Sequence, residues 1–446
     1  MWRKVFAVSV LALGCGRKSE AAPTTQPSPP PPTPVASAAP SVTAKPVCAD
    51  LVVELPPLLT AAFDVAQPDI VDEGDAVMQS FYEKAARNVR KSGTEPVRIG
   101  VYGDSNMTMD YQTGEMRRVL QTRYGDAGHG FLAAGRPWGW YLHRDIKHDA
   151  DGRWIAYDVS TDRAPDAVYG FANISMKSKE VNALSWLETV DDTHEIGRTF
   201  SKFEIYAVEQ PYGGAFTVTL DGQLLDTIDT KAEARKAIFK AYDVKDTAHR
   251  LDLRAKGGNV RLFGTVVERP EPSFVVDSLG VGALNAEQLQ HVDKETHKAT
   301  LAHRKYDLIL DMTGTNMFAL EYHPKWMKNV IAMYRSAIPD VPVLLVSPPD
   351  LGHWEKQGES DPRVVGVAKQ KLTIAKDEHA AYWDYWTAMG GQGAIFKFKA
   401  HGMAEGDLVH LNEKGGRYMG SRIAQALFRG LARWAKAHPK AGCPAS

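Results

Sequence analysis

The residue types needed to activate a serine lie at opposite ends of the 446-residue chain. Gly103-Asp104-Ser105-Asn106 presents a hydroxyl, and Asp407-Leu408-Val409-His410 presents a carboxylate and an imidazole three positions apart. A serine hydroxyl is a poor nucleophile at neutral pH and needs a base to take its proton. The imidazole in turn needs a carboxylate to fix its tautomer and stabilise its charged form. Ser105, His410 and Asp407 supply these three roles. Two further segments supply hydrogen-bond donors: Asn316 in Thr313-Gly314-Thr315-Asn316, and a glycine in Gly280-Val281-Gly282. An amide side chain, a glycine N–H and the N–H of Ser105 are what a tetrahedral oxyanion requires. Singly, each piece has a plainer reading, since Gly-Asp-Ser makes ordinary turns and most of the fourteen histidines must be structural.

These groups need elements to hold them. Residues 97–102 read as a strand running into the Ser105 turn, and Met116, Val119 and Leu120 mark a helix that stops near Gly125. This strand–turn–helix places a hydroxyl at the C-terminal edge of a sheet, with the N–H groups of the helix start pointing at it. Residues 274–279 and 306–312 read as buried strands that deliver the Gly280 and Thr313 segments. After them come a helix over 326–337, a strand over 341–347, a helix over 364–379 and a short strand over 382–385. An amphipathic helix carrying Met419, Ile423, Leu427, Leu431 and Trp434 follows His410. Strands separated by helices make a parallel sheet covered on both faces, so the expected fold is α/β, a three-layer doubly wound sheet with its site at the strand C-termini.

The four blocks in order, Gly103-Asp104-Ser105, a glycine at 280–282, Gly314-Thr315-Asn316 and Asp407-Leu408-Val409-His410, resemble the SGNH/GDSL hydrolases. The resemblance implies Ser105 as nucleophile, His410 as base, Asp407 as its orienter, and Asn316 with a block-two glycine as oxyanion donors. Gly282 is the implied glycine, with Gly280 its rival, because relatives tend to show one more residue between the two. Gly103-Asp104-Ser105-Asn106-Met107-Thr108-Met109-Asp110, Gly125-Asp126-Ala127-Gly128-His129-Gly130-Phe131 and Val276-Asp277-Ser278-Leu279-Gly280 are similar to the bacterial peptidoglycan O-acetylesterase-like branch. Members usually carry histidine after the nucleophile and an acidic residue after the block-three asparagine, where this chain has Asn106 and Met317. The implied activity is a serine esterase that removes O-acetyl groups from a polysaccharide, peptidoglycan first. The alternatives are an O-acetyltransferase of the same fold, or a tethered glycan-binding lipoprotein that no longer catalyses. No metal or organic cofactor is implied.

In that branch a β-sandwich resembling a carbohydrate-binding module interrupts the catalytic domain, and residues 137–272 fit that gap. Independently, residues 203–208, 216–220, 251–254 and 260–267 read as short strands, with Asp221-Gly222 and Gly257-Gly258-Asn259 as hairpin turns between them. Such spacing suggests a sandwich or jelly roll. Trp138, Trp140, Tyr141, Trp154 and Tyr157 could stack on sugar rings, but aromatic side chains more often fill a core. The expected plan is thus hydrolase residues 49–136 and 273–446, split by the insert.

The remaining residues look like an address. Arg3 and Lys4 precede an apolar run over 5–13 that is too short to span a bilayer and fits an export signal. It ends in Leu11-Ala12-Leu13-Gly14-Cys15, which resembles a bacterial lipobox and implies lipidation of Cys15 after residues 1–15 direct export. Gly16 after Cys15 leans towards the outer membrane. Residues 16–48 are rich in Pro, Ala, Ser and Thr and cannot form a core, which suits a tether. Cys48 and Cys443 then either pair across the folded part or stand as two free thiols. With Lys+Arg 53 against Asp+Glu 54, no basic field is available to attract a polyanion, so nucleic acid is a poor partner.

Overall fold

The computed structural model describes residues 48–444 apart from 62 and 64; the expected signal, Cys15 and the tether up to residue 47 lie outside them. Five strands, Val97–Gly103, Phe274–Gly280, Leu308–Met312, Val343–Val346 and Ala381–Trp383, form a parallel sheet. Their spatial order is second, first, third, fourth, fifth. The order therefore reverses on either side of the first strand, which is where open α/β sheets leave a crevice at the strand C-termini. Gly103 pairs with Gly280 on one side and with Met312 on the other, so three strand ends finish level. The loops carrying Ser105, Gly282 and Asn316 consequently start side by side.

The strands are apolar runs because both faces are covered. On one face Ile99, Val101, Val276 and Leu310 pack against Phe81 of helix Gln79–Val89, Leu120 of helix Tyr111–Tyr124 and Met419 and Leu427 of helix Glu413–Ala437. Burying each such side chain contributes about 1.5–3 kcal/mol. Helices Tyr111–Tyr124 and Glu413–Ala437 approach closely because the second carries glycines at the contact. A Cβ on Gly420 would stand 2.3 Å from the Gln112 carbonyl oxygen, and one on Gly416 would stand 2.6 Å from Tyr111 Cβ. That approach draws together the segments just before each helix, which hold Ser105 and His410.

The second face is shared. Tyr102, Leu279, Ile309 and Leu345 meet Leu301 of helix Lys294–Arg304, Ile331 of helix His323–Ala337 and Ile374 of helix Pro362–Asp377. The same core continues into Phe131, Phe171, Tyr206 and Phe263, which belong to an antiparallel segment. There, strands Lys236–Thr247, Phe200–Glu209, Val260–Glu268, Ile174–Ser178 and Ile155–Asp158 form one sheet, and Gly130–Ala133 also pairs with Val260–Glu268. A second sheet holds Lys147–Ala150, Val181–Glu188, Arg250–Lys256, Ala215–Leu220 and Gln223–Asp229. Phe203, Ile205 and Leu262 of the first face Phe216, Val218 and Leu253 of the second across their own core, as in a sandwich.

The structure bears out some sequence expectations and corrects others. Asp221-Gly222 is a hairpin turn with both residues at positive φ, as a two-residue loop prefers. Gly257-Gly258-Asn259 is not a hairpin: it carries the chain from one sheet to the other, because strands Arg250–Lys256 and Val260–Glu268 lie in different sheets. The last parallel strand ends at Trp383, since Asp384 accepts a hydrogen bond from the Thr387 N–H (3.0 Å) and caps a helix over Tyr385–Met389. Cys48 and Cys443 are joined by a disulfide with Cα atoms 6.2 Å apart. Around it, Arg90 donates to the Ala441, Pro439 and Ala49 carbonyls, so the ends of the described chain are tied to each other by several bonds.

Candidate active site

Ser105 opens a single 3-10 turn, Ser105–Met107, and the long helix starts only at Tyr111. The expectation that the helix N-terminus would point at Ser105 is therefore replaced by a tight turn. Asp104 holds that turn, its buried carboxylate accepting from the Asn106 N–H (3.2 Å) and from the Thr315 N–H (3.2 Å). One side chain thus ties the Ser105 turn to the loop bearing Asn316. Burial pushes the Asp104 carboxyl above its ordinary range, against the hydrogen bonds from Thr315 and Asn106.

The Asn316 loop is anchored from below by Lys371. Its fully buried ammonium donates to the Asp311 carboxylate (3.0 Å) and to the carbonyls of Asp311 (2.9 Å), Val346 (3.0 Å) and Thr313. Gly314, at φ 141°, lets the chain turn out of the strand there. The Asn316 side-chain nitrogen Nδ2 is buried, and among the described residues it has no hydrogen-bond partner. Such a donor costs stability unless something occupies it.

Asp407 and His410 come from the loop before the last long helix. His410 Nδ1 lies 2.6 Å from Asp407 Oδ2, and His410 Nε2 lies 2.8 Å from Ser105 Oγ. Asp407 Oδ1 also accepts the N–H groups of Val409 (2.9 Å) and His410 (3.0 Å). Burial raises the Asp407 carboxyl, but the hydrogen bonds from His410 and those N–H groups outweigh it and hold the pKa below the ordinary value. A carboxylate, an imidazole and a hydroxyl linked in this order can move a proton off the serine. Leu408 takes the left-handed φ of 60° that bends the loop, and its carbonyl accepts from the Gly352 N–H (3.0 Å).

Asn106 clamps this loop, a part that sequence reasoning did not assign it. Its Oδ1 accepts from the Leu411 N–H (3.0 Å) and its Nδ2 donates to the Val409 carbonyl (3.3 Å), so one amide grips the backbone on both sides of His410. The only sequence signal for it is that asparagine stands after Ser105 where the branch this chain resembles usually carries histidine.

Ser105, His410, Asn316 and Gly282 line one cleft of about 710 Å³. Nothing lies within 4 Å of where a Gly282 Cβ would stand, whereas one on Gly280 would press on Met107 at 2.5 Å. Among the described residues, neither the Ser105 N–H nor the Gly282 N–H donates to another chain atom. The antiparallel segment supplies another part of the cleft lining, including Trp138 and Trp140. The other flagged aromatics do not reach it: Tyr141 and Trp154 are buried in the two cores, and Tyr157 packs against one of them.

Asp110, His129 and His143 lie close enough for a metal, with their ligand atoms within 4.8 Å of one another. They fit a hydrogen-bond network better. Asp110 accepts from Arg117 (3.0 and 3.1 Å), Thr113 (2.5 Å) and the Arg144 N–H (2.9 Å), and His129 Nε2 is bonded to His143 Nδ1 at 2.8 Å. The Arg117 cation already serves the carboxylate a metal would need.

No protein-family model and no curated protein matches the chain. The structure superposes on a solved peptidoglycan O-acetylesterase with a TM-score of 0.69 at 19% identity, covering 82% of this chain and 99% of that one. This likeness shows a shared fold. A family two carbohydrate esterase from Clostridium thermocellum in complex with cellohexaose aligns at 10% identity over 61% of this chain and 97% of that one, with a TM-score of 0.23. A Bacillus subtilis protein aligns at 13% identity over 67% and 92%, with a TM-score of 0.29. Both superpositions are too loose to carry an argument.

Proposed function

We propose that the chain is a serine esterase of the SGNH/GDSL type that removes O-acetyl groups from a polysaccharide, with peptidoglycan the first candidate. The observation that carries this reading is the unbroken chain from Asp407 through His410 to Ser105, in one cleft with Asn316, whose Nδ2 has no partner among the described residues. Ser105 Oγ attacks the ester carbonyl while His410 Nε2 takes its proton and Asp407 steadies the imidazolium. The oxyanion is held by Asn316 Nδ2 and the N–H groups of Ser105 and Gly282. The packing of Gly280 against Met107 supports Gly282 over its rival. His410 then returns the proton to the departing sugar oxygen, leaving acetyl on Ser105. A water attacks that acyl-serine while His410 takes its proton, and His410 then returns the proton to Ser105 Oγ as the acyl bond breaks, releasing acetate and the free serine.

The fold shared with a peptidoglycan O-acetylesterase supports the substrate class. The same reading takes residues 137–272 as an inserted domain, residues 1–15 as an export signal and Cys15 as the lipid anchor that keeps the enzyme in the cell envelope. The test is acetate release from p-nitrophenyl acetate and from O-acetylated peptidoglycan or xylan. Ser105→Ala should lower it by about 10⁴-fold or more. No acetate from any of these substrates would sink the reading, and acetyl recovered on a second sugar would assign a transferase instead.

A further inference from the structure

The cleft is far larger than an acetyl group, and what lines it beyond the reactive groups bears on the rest of the substrate. Trp140, one of two tryptophans lining the cleft, is 56% exposed. Trp138, half-buried beside it, is set edge-on against Tyr141, with ring centroids 5.3 Å apart at 83°. Tyr141 is itself fixed, buried and accepting the Ala133 N–H (2.9 Å). The Trp138 ring is therefore preorganised. A rigid aromatic face suits a sugar ring, which offers C–H groups on its own face.

The charged lining is one-sided. Asp158, Asp162 and Glu405 line the cleft, and no Lys or Arg does so among the described residues. Asp158 is occupied with its own turn, accepting from the N–H groups of Ser160 and Thr161 (2.7 Å each) and from the Thr161 hydroxyl (2.9 Å). Asp162 and Glu405 are the carboxylates left to face a ligand. They accept hydrogen bonds from sugar hydroxyls and repel a carboxylate on the ring.

We propose that Trp138 and Trp140 form a stacking platform for the sugar that bears the ester, and that Asp162 and Glu405 make this subsite select uncharged sugars over uronates. The assignment rests on the esterase reading of the same cleft, so its test separates the two. kcat/KM is measured on acetylated xylo-oligosaccharide, which is neutral, on acetylated oligogalacturonide, which is anionic, and on ethyl acetate, which has no ring. Trp140→Ala should lower the xylo-oligosaccharide value about 10-fold more than the ethyl acetate value. Asp162→Asn and Glu405→Gln should each raise the anionic-to-neutral ratio about threefold or more.

Binding of xylo-oligosaccharide to the Ser105→Ala protein, followed by calorimetry, reads the platform without turnover and should weaken about 10-fold with Trp140→Ala. Equal losses on all three esters, a wild-type preference for the anionic substrate, or unchanged glycan binding would overturn the subsite. The esterase reading would survive any of these if Ser105-dependent acetate release persists. No turnover of any ester, with glycan binding that still depends on Trp140, would sink the esterase reading alone.

Discussion

In the parallel-sheet body, the groups of the proposed reaction hang from strand ends or from loops tied down by named bonds. Asp104 joins the Ser105 turn to Thr315, Lys371 anchors Thr313, and Asn106 grips both sides of His410. In the antiparallel segment, the residues that reach the cleft, among them Trp138, Trp140, Asp158 and Asp162, have no part in the proposed proton transfer. The two regions are nevertheless joined by buried ion pairs. Arg304 donates to Asp277 of the parallel sheet (2.7 and 3.0 Å) and to Glu268 of the sandwich (2.6 Å), and Glu268 also accepts from Arg98 (2.9 and 2.8 Å). The body therefore holds the chemistry, while the segment offers a wall whose position relative to Ser105 is fixed by a shared core and buried ion pairs.

The comparison can be broken most strongly at Asn316. Asn316→Ala should lower kcat by about 10²–10³ on every ester, with or without a sugar, because the oxyanion is common to all. A loss confined to sugar esters would move Asn316 from the body's chemistry to the wall's recognition.

Next in size is the joint. Burial raises the Glu268 carboxyl, but Arg304 and Arg98 outweigh it and hold its pKa at about 2 against an ordinary 4.5. A depressed pKa stabilises the fold above the ordinary value, and that contribution fades as pH falls from about 4.5 towards 2. Glu268→Gln should therefore destabilise the protein by on the order of 3 kcal/mol at pH 7, and its melting temperature should converge with the parent's over that acid range. A constant gap down to pH 2 would show that the charge of Glu268 does not hold the joint.

The smallest effect expected is at Asn106, which bonds to the backbone of Val409 and Leu411 on either side of His410 rather than to the reacting atoms. Asn106→Ala should lower kcat about tenfold with little change in KM, and Asn106→Asp should recover only the Leu411 half of the clamp. An unchanged kcat for Asn106→Ala would leave the positioning of His410 to Asp407 and to the Glu405 N–H that donates to its carbonyl.

The sequence makes some of this legible for physical reasons. Parallel strands buried on both faces are apolar runs, so the strands leading to Gly280 and Thr313 are readable, and the Ser105 and His410 motifs carry their chemistry in their residue types. The joint is not readable, since Arg98, Glu268 and Arg304 look like surface charges until the fold buries them against one another. Asn106 is hidden in the same way, its partner Leu411 lying 305 positions away. Strand Lys236–Thr247 is largely exposed, with charged side chains along it, which masks a strand pattern. The turn over 257–259 has hairpin chemistry, yet which sheet receives the next strand is decided by packing. Trp138 and Trp140 differ from Tyr141 and Trp154 only in where the fold puts them.

The central claim is that Ser105 carries the acetyl group between the two half-reactions. The most direct measurement is mass spectrometry of protein quenched in acid during turnover of p-nitrophenyl acetate, with the acetylated peptide then sequenced. One acetyl group on Ser105, absent from the Ser105→Ala protein, is the predicted result. Acetyl on any other residue, or turnover that continues in the Ser105→Ala protein, would contradict it.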